Sequence, residues 1–152
     1  TAQLKPGTQF QIVAFNTEAW SLIEGSDGEW LTVADGAQLN DAVQALRQLA
    51  PGGGTSLVPA IDAINGLSPK PDNVYFLVDG LPTQGAVLPT KRTVTGVERR
   101  RHFNRAVRRI PVNVPINVIM YPMEGDPLAA PSYWELSLRT GGSFMAPSDD
   151  WP

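Results

Sequence analysis

Two short stretches hold the residues whose types and spacing could do chemistry. The first is Gly52-Gly53-Gly54-Thr55-Ser56-Leu57, glycines leading into a pair of hydroxyl residues. The glycines allow tight backbone turns with positive φ. Thr55 or Ser56 can cap a following helix, and either hydroxyl can ligate a hard cation, directly or through water. Taken alone, a glycine turn followed by a helix cap accounts for this stretch more simply. A phosphate loop fits it poorly, because no lysine follows the last glycine and a helix rather than a strand precedes it. The second stretch is Val78-Asp79-Gly80-Leu81-Pro82-Thr83, which places Asp79 at the end of an apolar run. A carboxylate at the carboxyl end of a central strand stands where ligand-binding acids of open α/β sheets stand. An Asp-Gly turn is an equally good account of it taken alone.

Other candidates are fewer. Arg99, Arg100, Arg101 and Arg105 belong to a basic segment that could take an anionic partner. From Lys91 to Arg109 the chain carries eight bases and one acid, or +7, and the other four bases and fourteen acids leave -10 elsewhere. A solvated helix face is the simpler account of those arginines, and no nucleic-acid-binding motif accompanies them. His102 is the single histidine and there are no cysteines, which excludes disulfides, thiolate catalysis and histidine- or cysteine-based zinc sites. No Gly-x-Ser-x-Gly elbow is present, and no nucleophile, base and anion-stabilising group can be assembled into one pocket. The sequence therefore does not read as that of an enzyme. Asp126, in Glu124-Gly125-Asp126-Pro127, is either a turn residue or a second carboxylate on the same rim as Asp79.

The elements that must position these residues follow from patterning. Phe10 to Phe15 is a short strand. Trp20 to Ile23 and Trp30 to Val33 flank Gly25-Ser26-Asp27-Gly28 and read as a hairpin or bent edge strand. Leu39, Val43, Leu46 and Ala50 recur at helical spacing over residues 35–49, where Pro51 and the glycines stop the helix. A second helix is expected over residues 56–64, with Gly66 as its C-terminal cap. Val74 to Val78 and Ile116 to Tyr121 are unbroken apolar runs, expected to be strands buried on both faces. A helix over residues 97–109 carries Phe103, Ala106, Val107 and Ile110 on one stripe. A last helix spans residues 132–140, and Ser143 to Ala146 is a final short strand. Strands alternating with helices imply an α/β fold with a largely parallel sheet and helices on both faces.

The chain of 152 residues fits one domain, 1–152, able to bury a core without staples. Its apolar share of 42% is that of an ordinary soluble domain. No apolar run approaches the roughly 20 residues that span a bilayer, so membrane insertion is not expected. No signal peptide begins at Thr1, which fits a cytoplasmic, processed or excised chain.

Taken together, the glycine loop and the Asp79 loop resemble the von Willebrand factor type A (VWA) family. The resemblance covers nearly the whole chain: the strand FQIVAFN, the helix before GGGTS and the one after it, the strand and loop VYFLVDGLPT, and the strand INVIMY. The ending, from Gly125-Asp126-Pro127 through Trp134 to Gly141-Gly142-Ser143-Phe144, is similar to that of bacterial members. The resemblance implies a Rossmann-like three-layer α/β sandwich with a mostly parallel central sheet. It also implies protein binding or adhesion through a divalent cation, usually Mg2+ and otherwise Mn2+ or Ca2+, held on top of the sheet. Thr55 matches the family's threonine ligand and Asp79 its aspartate, with Ser56 and Asp126 as secondary rim residues. A protein partner's acidic residue would fill the open position. A bacterial cell-envelope or extracellular setting is the family's default over a cytoplasmic one.

One part of the family pattern has no match. No Asp-x-Ser-x-Ser occurs anywhere, and Phe10 to Phe15 matches the family's second strand. Ser148-Asp149-Asp150 and Ser26-Asp27 are the nearest substitutes and fall in the wrong places. The resemblance thus implies an N-terminally incomplete domain lacking the central strand and its metal loop, which another chain could supply. One carboxylate and one hydroxyl would hold metal poorly, and the sheet would carry two exposed edges and a slot. The competing expectation is a metal-free scaffold that binds an anionic partner through Arg99–Arg109.

Overall fold

The structure is a computed structural model that describes residues 4–34, 36–50, 52–87, 93–121 and 124–147. Asp35 and Pro51 at the expected helix ends, Lys91 and Arg92 of the basic segment, and Ser148 to Trp151 lie outside the described residues.

Eleven elements are present among them. Four short strands come first: β1 (Gln9–Phe10), β2 (Val13–Phe15), β3 (Ala19–Ser21) and β4 (Leu31–Thr32). The helices α1 (Gly36–Gln48) and α2 (Leu57–Gly66) follow. The remainder alternates: β5 (Val74–Val78), α3 (Gly96–Val107), β6 (Ile116–Met120), α4 (Ala129–Thr140) and β7 (Phe144–Met145). The fold is mixed α/β, with a parallel three-stranded sheet in the order β5-β6-β7. Val74 lies opposite Ile116 and Val78 opposite Met120, and β7 joins at Val118 and Ile119.

The N-terminal third departs from the expected pattern. The run Phe10 to Phe15 is two strands, not one. Gln11 interrupts it because its amide nitrogen donates to the carbonyls of Ser26 (2.6 Å) and Glu29 (2.7 Å). The stretches around Gly25 to Gly28 do not form a hairpin with each other. Instead β3 pairs antiparallel with β2, and β4 with β1. Asp27 secures this arrangement by accepting the Ser21 N–H at 2.8 Å, a backbone hydrogen bond that holds its carboxyl below the usual carboxylate range.

Helix ends show why the later elements sit where they do. Ser56 caps α2, its hydroxyl accepting the Val58 N–H at 3.3 Å. Gly66 does not act as the expected left-handed cap, because extended Leu67 follows it. The Lys70 ammonium satisfies the terminal carbonyls instead, donating to Asn65 and to Leu67 (2.9 Å). Thr95 and Glu98 form a reciprocal capping box at the start of α3. At the end of α4, Gly141 takes φ 75° and its N–H reaches Leu138, while Gly142 donates to Ser137 at 2.9 Å. That is a Schellman ending.

The core lies on one side of the parallel sheet. Leu57, Ile61, Phe76, Val78, Phe103, Val118, Tyr133 and Leu136 are among its buried members. Phe103 and Tyr133 meet edge to face, with centroids 4.9 Å apart, the geometry the ring quadrupoles favour. The opposite face, carrying Tyr75, Leu77, Asn117, Ile119 and Met145, is not covered by any described helix. Tyr75 and Leu77 are 63% and 61% exposed, so β5 is not buried on both faces as its apolar run predicts. The described residues thus form helices on one face of this sheet rather than on both.

A second consequence concerns the edges. Among the described residues β2 has only β3 as a partner and β5 has only β6, so each keeps one edge unpaired there. Both strands run toward the same rim, where Ser56 N–H donates to Asn16 at 2.7 Å and Thr83 N–H to Thr55 at 2.9 Å. Yet no Cα of β2 lies within 8 Å of one in β5. Paired strands stand about 4.8 Å apart, so this gap is wider than one pairing step.

Candidate functional site at the strand ends

The loop after β5 and the loop before α2 are hydrogen-bonded to each other. Thr55 carbonyl accepts from Thr83 N–H at 2.9 Å and Gln84 N–H at 3.1 Å. Thr55 N–H in turn donates to the Thr83 hydroxyl at 2.8 Å. Thr55 is half-buried, and none of these bonds uses its hydroxyl. A side chain at position 54 would be a tight fit, because a Cβ there would come 3.0 Å from the Thr83 hydroxyl and 3.2 Å from the Gln84 side-chain oxygen. Asn16, at the end of β2, completes the junction by donating to Gly52 at 3.3 Å. Asp79 opens the joined loop and is exposed.

Ser56 has a different role from Thr55. It is buried, caps α2 and donates its hydroxyl proton to Gly85 carbonyl at 2.9 Å. Its hydroxyl is therefore committed to holding the two loops together.

Asp126 lies at the ends of β5 and β6 but is buried. Its Oδ2 accepts Leu81 N–H at 2.7 Å and pairs with Arg99 Nη2 at 3.0 Å. The backbone carbonyl of Asp126 also accepts Ala129 N–H at the start of α4. Oδ1 of Asp126 is buried without a partner, so one oxygen carries all its side-chain bonding.

Arg99 separates from the other arginines of α3. Its side chain is 15% exposed and its Nε donates to Leu81 carbonyl at 3.0 Å. Arg100, Arg101 and Arg105 remain exposed. Arg109 forms a bidentate pair with Asp62 at 2.6 and 2.8 Å, both partners being about half exposed. The sequence groups Arg99 with Arg100, Arg101 and Arg105 as a residue for an anionic partner, but it is largely buried and paired with Asp126; the signal that sets it apart is its place four residues before Phe103 and seven before Ala106, on the apolar stripe. His102 is half-buried beside Gly85.

Tyr133 completes the surroundings. It is fully buried and its hydroxyl donates to Gly80 carbonyl at 3.1 Å. Burial first, then the charges of Asp79 and Asp126, raise its ionisation well above the usual tyrosine range, with Arg99 opposing. The shift gives a stability prediction. An unfolded tyrosine ionises near pH ~10, so the stability that Tyr133 gains by keeping its proton is complete below that pH. It is lost as pH climbs further, at about 1.4 kcal/mol per pH unit. Urea titrations of wild type and Tyr133→Phe between pH 8 and about pH 11.5 should converge at the alkaline end. Parallel curves would show that Tyr133 does not hold its proton more tightly in the folded state.

The donor set at the rim is one exposed carboxylate and one hydroxyl. Among the described residues, no group of three or more histidine, cysteine or acidic side chains could hold a metal ion. Thr55 and Asp79 therefore fit only part of the shell of a hard cation, which takes few carboxylates and keeps several waters. No helix among the described residues is long and apolar enough to cross a membrane. No family model matches this sequence, and neither a curated protein nor a solved structure matches it.

Proposed function

We propose that this chain is a protein-binding module of the VWA type, using a divalent cation at the rim formed by the Thr55 and Asp79 loops. The observation that carries the reading is the direct hydrogen bonding of these loops through Thr55, Thr83 and Gln84 at the ends of β2 and β5. Asp79 supplies charge and Thr55 a hydroxyl. Water and an acidic side chain of the partner supply the rest, in keeping with the chemistry of magnesium. The gap between β2 and β5 supports the same reading. A strand placed there, pairing with both edges and delivering an Asp-x-Ser-x-Ser loop to the rim, would complete a three-layer sandwich. Such a segment would decide affinity, since two donors bind weakly.

The test is a titration with Mn2+ or Mg2+, followed by amide shifts and thermal stability. The amides of Thr55 and Asp79 should respond before those of other exposed acids, and Asp79→Ala should abolish the response. A chain that responds equally at Asp72 or Glu135 has no site at the rim. A second reading has its own support, because Arg100, Arg101 and Arg105 stay exposed on α3. On that reading the module binds an anionic partner without metal. Its binding would weaken steeply with salt and ignore chelators.

A further inference from the structure

Three backbone polar groups of Gly80 and Leu81, just after Asp79, are held by side chains from three separate elements. Tyr133 of α4 donates to Gly80 carbonyl at 3.1 Å. Asp126, from the loop after β6, accepts Leu81 N–H at 2.7 Å. Arg99 of α3 donates to Leu81 carbonyl at 3.0 Å and pairs with the same Asp126 oxygen at 3.0 Å. Both polar groups of the Leu81 backbone are thus taken by one buried ion pair. The fit leaves no slack at Gly80, where a Cβ would stand 2.9 Å from Asp126 Oδ2 and 3.0 Å from Arg99 Nη2.

We propose that Arg99 and Asp126 are positioning residues that fix the direction of the Asp79 carboxylate at the rim. The inference rests on the cation reading of that rim. The Asp126 side chain is 2% exposed and that of Arg99 15%, so neither presents itself to a ligand. Their effect is exerted through the peptide groups between Asp79 and Leu81. Arg99 also neutralises Asp126, which leaves Asp79 as the carboxylate whose charge is available to an ion. A freely rotating acid would have to be ordered by each ion it bound, whereas a clamped loop has already met that cost. Groups that orient metal ligands from behind typically change affinity by 10–100-fold when altered.

The experiment uses Mn2+ alone on the 15N-labelled chain, because paramagnetic broadening detects an ion bound at millimolar affinity. Arg99→Lys keeps the charge but loses the fork that reaches Leu81 and Asp126 together. Asp126→Asn keeps the shape and an acceptor for Leu81 N–H but removes the charge. Both variants should need about tenfold or more Mn2+ to broaden the Asp79 amide equally, and faster solvent exchange at Leu81 N–H should accompany the loss in Arg99→Lys. Arg109→Lys, which weakens the exposed pair between the residue just past α3 and Asp62 of α2, should leave the Mn2+ titration unchanged. If wild type broadens at Thr55 and Asp79 and both rim variants match it, the positioning role is overturned while the cation reading stands. Absence of broadening at both residues in wild type overturns the cation reading, and this role falls with it.

Discussion

Asp126→Ala is expected to destabilise the chain by about 3–5 kcal/mol, the cost of removing one member of a buried ion pair. The alanine would leave the Arg99 guanidinium without its counter-charge in a site that is 85% closed to solvent. It would also leave Leu81 N–H without its 2.7 Å acceptor, and an unsatisfied buried donor alone costs about 1–3 kcal/mol. Against a typical total of about 5–15 kcal/mol, this is a loss that urea denaturation reads directly. Replacing both partners together, as Arg99→Met with Asp126→Leu, should cost less than the single change, because no charge is then stranded. A single variant within about 1 kcal/mol of wild type would mean that the pair exchanges freely with water. The exposed pair of Arg109 and Asp62 provides the contrast, since such pairs contribute about 0–1 kcal/mol.

Gly142→Ala should be comparably severe, by overlap rather than charge. An added Cβ would lie 2.1 Å from Ile116 carbonyl oxygen, 2.5 Å from its carbon and 2.9 Å from its nitrogen. All three atoms are backbone at the first residue of β6, so no side chain can turn aside. Relief requires moving the α4–β7 corner away from the sheet, and a loss of about 3 kcal/mol or more is expected. The neighbouring glycine separates this effect from backbone strain. Gly141 has φ 75° but open space around its missing Cβ, so Gly141→Ala should cost about 1 kcal/mol. Equal midpoints for the two variants in denaturant would refute the clash.

Much of the second half of the chain was legible in its sequence. The α2, α3 and α4 helices, β5, β6 and the final strand follow from apolar spacing, and their ends shift by only a few residues. Local chemistry explains the success: Thr95 and Glu98, or Gly141 and Gly142, mark their helix ends without help from distant residues. The helix α1 was legible too, but the strands before it resisted for the opposite reason. Turn residues at Gly25 to Gly28 announce a reversal but do not say which strand will receive the returning chain. The break at Gln11 depends on carbonyls 15 and 18 residues away. At the rim, the Thr55 loop and the Asp79 loop were visible as candidates, and the two are hydrogen-bonded to each other. Helical spacing puts Arg99 on the stripe of Phe103 and Ala106 and so sets it apart from Arg100 and Arg101, but its partnership with Asp126 was not visible, because only the packing of α3 beside the loop after β6 brings the two together.

The uncovered side of β5 has a consequence for the chain as a solute. Val74 to Val78 is five residues without a charge or a proline, and it presents Tyr75 and Leu77 to water beside an edge that pairs with no other strand among the described residues. Such a segment is a template onto which the same segment of another molecule can add, growing outward without a natural stopping point. Crowding and long storage would therefore drive these molecules toward fibrous precipitates, and a charge introduced at Leu77 would act as a gatekeeper against them.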